Sequence, residues 1–148
     1  VNVTNSPISS LSLSPSSDPS IPVLAVNSYD SVVRLYDAQK VIEGGRDLMP
    51  LYSLNGPKNS GLPIRNSFLA TGTERTVLLS GSGDGAGYVF DPLLSSPLIH
   101  RLQNLGERVY GLSSSSSMIA ASSSDGNVYL WAHSFSSSSP LLSSSSFL

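Results

Sequence analysis

The stretch "VLLSGSGDGAGYVFDP", Val77 to Pro92, holds four glycines, an aspartate at its centre and an apolar run on either side. Two readings compete for it. A glycine loop feeding a helix would cradle a phosphate at the helix N-terminus. A glycine turn between two strands would only reverse the chain. After the loop comes "YVFDP", a short aromatic run stopped by proline, which cannot open a helix of useful length. No Gly-Lys-Ser/Thr follows, so the phosphate-loop pattern fails as well. The stretch reads as a hairpin turn.

Comparison within the chain supports that reading. With Asp30, Asp84 and Asp125 placed in register, three windows align without a gap: "VLAVNSYDSVVRLYD" (Val23–Asp37), "VLLSGSGDGAGYVFD" (Val77–Asp91) and "MIAASSSDGNVYLWA" (Met118–Ala132). Each has an apolar run, a small polar segment, the aspartate, and a second apolar run ending on an aromatic. The second runs align Val33, Gly87 and Val128, then Leu35, Val89 and Leu130. Between and beyond these stand Arg34, Tyr88 and Tyr129, then Tyr36, Phe90 and Trp131. In a strand these sets fall on opposite faces. Both faces are largely apolar or aromatic, so each such strand is expected to be covered on both sides by neighbouring sheets.

Flanking segments extend every unit to four strands. Upstream lie "ISSLSL", a short strand near Ile64–Leu69 and another near Arg108–Ser113. Downstream lie Leu51–Leu54, Pro97–Leu102 and, more weakly, Pro140–Leu142. No segment of ten or more residues has helical periodicity; the best, Asp37–Leu48, is broken by Gly44 and Gly45. The aspartates are 54 and 41 residues apart. The shorter spacing fits a four-stranded repeat of about 40–45 residues. The longer one leaves an insertion loop at about residues 38–50.

These windows resemble the WD-repeat β-propeller family. "SSSDGNVYLWA", "GSGDGAGYVFD" and "NSYDSVVRLYD" carry the likeness, with Leu-Tyr-Asp and Val-Phe-Asp standing where the family has Trp-Asp. The resemblance implies an all-β fold of about three four-stranded antiparallel blades, at about residues 7–55, 62–102 and 107–142. It assigns the structural turn role to Asp30, Asp84 and Asp125, and the blade-core aromatic role to Tyr36, Phe90 and Trp131. The family often sets a Gly-His pair before the first strand, whose histidine binds the turn aspartate. "NLGERV" and "NGPKNSGLP" have no histidine there, so the full buried network of the family cannot form. Three blades also fall short of the four that close a ring. An open arc would expose apolar blade faces, which favours a segment of a longer propeller, with closure by a partner as the second resolution. The start at Val1 rather than Met agrees with the first.

Composition narrows the function classes. Charged residues make up 12% of the 148, about half the usual share. The net charge of −2 gives no basic footprint for charge-driven nucleic-acid or membrane-surface binding. No apolar run reaches the roughly 18 residues of a membrane span, and no signal-peptide pattern is visible. The absence of cysteine favours an intracellular setting, cytoplasmic or nuclear. Asn2 begins a glycosylation triplet, "NVT", of a kind common by chance. His100 and His133, with no cysteine, make no zinc pattern and read as surface or strand-edge residues. No serine sits in a nucleophile elbow. The runs Ser113–Ser117, Ser136–Ser139 and Ser143–Ser146 read as low-complexity sequence open to phosphorylation, or as stretches where the sequence itself is imperfect.

No catalytic, metal or cofactor site is therefore expected. The resemblance implies a non-catalytic scaffold for protein–protein interactions, with other proteins or the rest of the same propeller as partners. Candidate contacts on the loops are Tyr29, Lys58, Arg65, Glu107 and Arg108. The alternative is a fixed structural subunit buried in a large assembly. A nucleotide-binding enzyme using residues 81–87 is the weakest reading.

Overall fold

Three four-stranded antiparallel sheets follow one another in the computed structural model. It describes residues 3–15, 22–44, 48–59, 61–70, 76–115, 117–136 and 139–147, with only the backbone described from residue 133 on. The first sheet holds β1 (Ile8–Leu13), β2 (Val23–Ser28), β3 (Val32–Asp37) and β4 (Tyr52–Asn55). The second holds β5 (Asn66–Ala70), β6 (Thr76–Ser80), β7 (Gly87–Phe90) and β8 (Leu98–Leu102). The third holds β9 (Val109–Ser114), β10 (Met118–Ser123), β11 (Val128–Ser136) and β12 (Ser139–Phe147). Spatial order equals chain order in every sheet. The first strands β1, β5 and β9 lie side by side, so the sheets stack as blades around that edge. The chain has an all-β fold of three propeller blades.

The alignment of the windows holds in space. Val26 pairs with Arg34, Ser80 with Tyr88 and Ala121 with Tyr129, the same register in each hairpin. Alternation along the middle blade then sends its side chains into two separate cores. Leu78, Tyr88 and Phe90 join Ala25, Val33, Leu35 and Leu54 of blade 1. Val77, Leu79 and Val89 join Ile119, Ala121, Tyr129 and Trp131 of blade 3. All four residues of β7 are buried. A fully buried side chain of this size contributes about 1.5–3 kcal/mol, so the stacking faces supply most of the stabilisation.

Two glycines of the opening stretch are placed by close approach between blades. A Cβ on Gly81 would run into the carbonyl oxygen of Val109, and one on Gly85 into that of Gly106. Gly85 also has φ +74, which disfavours other residues. Beside them Ser82 and Val109 exchange both backbone hydrogen bonds, each 2.8 Å, and so join blade 2 to blade 3.

Some elements differ from the expectation. A single helical turn, α1 (Ala38–Ile42), opens the insertion; Asp37 caps it by accepting from the N–H groups of Gln39 (2.9 Å) and Lys40 (3.3 Å). Five residues are too few to show a period. β12 runs through the serine stretch 143–146, because ladder bonds to β11 need only backbone. Asn2, the side chain of His133, and most of the polar turns at residues 16–21 and 71–75 fall outside what is described. No described helix is long and apolar enough to cross a membrane.

Gly81→Ala is expected to lower unfolding free energy by about 1–3 kcal/mol, as overpacking does. Urea denaturation measures it, and an unchanged midpoint would show that blades 2 and 3 do not approach this closely.

Candidate functional site: the aspartate turns and the rim they build

Each turn aspartate closes a small ring of hydrogen bonds within its own blade. Asp84 Oδ1 accepts from the N–H of Ala86 (3.2 Å). Its Oδ2 accepts from Tyr88 Oη (2.7 Å) and Arg101 Nη2 (2.9 Å). Asp125 repeats this with the N–H of Asn127 (3.0 Å) and Tyr129 Oη (2.8 Å). Asp30 accepts from the N–H of Val32 (3.1 Å) and from Ser28 Oγ (2.7 Å), and Arg34 pairs with it at 2.7 Å. The long side chain four residues after the aspartate therefore reaches back to the turn in every blade. It fills the role that the family's histidine would have. Arg34, Tyr88 and Tyr129 were not singled out from the sequence for this role; their shared +4 position and polar tips are the signal that could have found it.

The carboxyls respond to these donors. Arg34 beside Asp30 holds its carboxyl below the usual range, against a smaller opposing effect of burial. Burial pushes Asp84 up, but Ser82, Tyr88 and Arg101 together outweigh it and the net direction is down. The N–H of Asn127, then the Tyr129 hydroxyl, lower Asp125 to about 2. The same contact raises the Tyr129 phenol, aided by burial.

The aromatics lie on the face behind these turns. Tyr88 stacks on Phe90 and Tyr129 on Trp131, with ring centroids 6.0 and 6.2 Å apart. Arg101 sits over the Tyr88 ring. In blade 1 Tyr36 is buried and donates from Oη to the carbonyl of Val3 (2.6 Å). His100 is exposed on β8.

The loops that enter β5 and β9 fold against the turns. The N–H of Lys58 donates to Ser82 Oγ, and the N–H of Gly83 to the Lys58 carbonyl, both at 2.8 Å. The N–H of Asn59 donates to Ser31 Oγ (2.8 Å) and that of Ser124 to the Arg108 carbonyl (2.9 Å). Tyr29, Lys58, Glu107 and Arg108 thus come to one rim of the arc. Arg65 does not join them; it lies over Gly111 nearer the inner strands. Lys58, Arg65, Glu107 and Arg108 are exposed, Tyr29 is half-buried, and no ion pair engages any of them among the described residues.

Below the rim, a buried polar seam ties blade 1 to blade 2. Asn59 Nδ2 donates to Ser9 Oγ (2.8 Å) and Asn27 Oδ1 (3.1 Å), and Ser10 and Ser12 donate to Asn66 Oδ1. Satisfied polar contacts of this kind fix register more than they add stability.

The geometry also bears on the glycine stretch. The N–H groups of Gly81, Ser82 and Gly83 are bonded to the carbonyls of Arg65, Val109 and Lys58. Those of Asp84 and Ala86 go to Ser82 Oγ and Asp84 Oδ1. A phosphate cradle needs a row of such donors turned outward, and here they are engaged within the protein. Among the described residues no three His, Asp or Glu side chains converge as metal ligands would.

No family model matches the chain, and no curated protein matches it in sequence. Solved structures do match in shape. The computationally designed Ika4 protein is similar at a TM-score of 0.64 and 15% identity, over 97% of this chain and 74% of that one. A chain of the Mitotic Checkpoint Complex is similar at 0.68 and 20%, over 98% and 40%. Saccharomyces cerevisiae Sqt1 is similar at 0.71 and 15%, over 100% and 37%. At these identities the likeness concerns the fold alone, and the chain spans well under half of the last two.

The fold class is a partial β-propeller. With aspartate turns repeating in all three sheets, its blades are of the WD-repeat type.

Asp125 gives a pH test. A carboxyl at about 2 when folded and near 3.9 when unfolded stabilises fully above about pH 5 and loses that contribution as pH falls from about 4 to 2. Tyr129→Phe removes one donor and raises the folded value, so its urea midpoint should fall less steeply over that window. Equal slopes for the two proteins would contradict the role given to Tyr129.

Proposed function

We propose that the chain is a non-catalytic scaffold that binds other proteins through the rim formed by its aspartate turns and inter-blade loops. One observation carries this reading: exposed Lys58, Glu107 and Arg108 project from loops whose backbones are tied to the blades. Fixed loops bind with little ordering cost, because the backbone is already immobilised. Tyr29 adds an aromatic of the kind that anchors interfaces. The engagement of the glycine stretch in inter-blade bonds supports a non-enzymatic role. The likeness to a chain of a multi-protein complex supports protein partners. An intracellular location belongs to the same reading and rests on the lack of cysteine.

The test is capture from native cell extract with the wild-type chain and a Tyr29→Ala/Lys58→Ala/Arg108→Ala variant of unchanged thermal stability. Recovery of the co-purifying proteins should fall about tenfold or more, the effect of losing at least 1.4 kcal/mol. Undiminished recovery would remove the rim from the interface. A thermal shift with millimolar ATP or GTP would argue against the scaffold reading altogether.

A further inference from the structure

Both ends of the arc carry half of an interface that the chain makes twice internally. Blade 1 turns Ala25, Val33 and Leu35 toward Leu78, Tyr88 and Phe90. Blade 2 turns Val77, Leu79 and Val89 toward Ile119, Tyr129 and Trp131. By register the third such set is Met118, Ala120, Val128 and Leu130. No described element covers it: Met118 is 50% and Val128 49% exposed. The complementary half stands on blade 1, where Leu11 pairs with Val26 and Leu13 with Leu24. Leu11 is 59% and Leu13 64% exposed.

The two faces also fit in relief. Blade 3 has clefts of about 280 and 220 Å³ on this side, floored by the small residues Gly111, Ser113, Ala120 and Ser122. Blade 1 raises two leucines from its inner strand. The first-strand serine continues the pattern. Ser12 Oγ donates to Asn66 of the next blade (3.1 Å), and Ser67 Oγ to the Leu112 carbonyl (2.9 Å). Ser113 is the third in register, exposed on the free face. Residues 3–5 lie beside Arg34 and bond Tyr36 over the outer part of the blade 1 face. They leave the β1–β2 part, with its leucines, open.

We infer that blade 3 of one copy receives blade 1 of a second copy, head to tail, with Leu11 and Leu13 entering the clefts over Gly111, Ser113, Ala120 and Ser122. The occupant is a second copy because both halves of the interface stand on the same chain, as a third repetition of its internal stacking. An interface of this kind joins two different patches. Two copies close into a ring if the blade-to-blade rotation allows, and longer assemblies form if it does not.

Sedimentation at about 100 µM, where a micromolar association is saturated, reads this directly. The 148-residue chain should sediment as a dimer or larger species. Leu11→Asp/Leu13→Asp blocks one half, and Ser113→Trp fills the cleft of the other from an exposed position that leaves the fold intact. Each variant alone should weaken association at least tenfold. A mixture of the two should restore pairs through the intact halves, but nothing larger. A monomeric wild type, a variant that still associates as wild type, or a mixture that stays monomeric would overturn the inference. Circular dichroism confirms that each variant remains folded, and Ser113→Trp carries the test if the double aspartate variant does not.

Discussion

A strand that is apolar on both faces cannot rest at the surface of a sheet. β6 and β7 are such strands: Leu78, Tyr88 and Phe90 point one way, Val77, Leu79 and Val89 the other, and all are buried. Burying only one set would leave several large side chains in water at about 1.5–3 kcal/mol each. The middle blade therefore demands a sheet on either side, and the stacked arc is the arrangement that supplies both. The close approach at Gly81, the Ser82–Val109 bridge and the asparagine–serine seam all follow from bringing these faces together.

The aspartate turns solve a separate, local problem. A tight turn between two buried strands leaves backbone N–H groups that must be bonded, and the carboxylates of Asp30, Asp84 and Asp125 accept from them. Each carboxylate is in turn held by Arg34, Tyr88 or Tyr129 from the adjacent strand. The ring is closed without a histidine. The loops entering the next blade then bond to these fixed turns, so the rim inherits their rigidity. In this way a structural device also becomes the platform for binding.

Much of this was legible in the sequence, and the rest was hidden for identifiable reasons. Alternation around the three aspartates exposed the paired central strands, because burial on two faces leaves a pattern no other element shares. Tyr88 and Tyr129 look like core aromatics until their hydroxyls are placed, so their bonds to Asp84 and Asp125 could not be read from residue type. The glycines of residues 81–87 read as a turn, which they form. Their closeness to Val109 and Gly106 depends on a blade distant in sequence. The strand through Ser143–Ser146 rests on backbone pairing and so has no side-chain signature. Arg65 was grouped with the rim loops by its place before β5, but a strand-entry residue points by alternation, and it lies over Gly111 instead.

The central claim is that the blades form one stack joined through their faces, and the bridge between Ser82 and Val109 is its most direct reporter. Native-state hydrogen exchange of these two amides should be as slow as that of the β6–β7 ladder, since opening the bridge requires separating blades 2 and 3. Exchange at the rate of exposed loop amides, with β6–β7 still protected, would mean that the blades stand apart and would contradict the account.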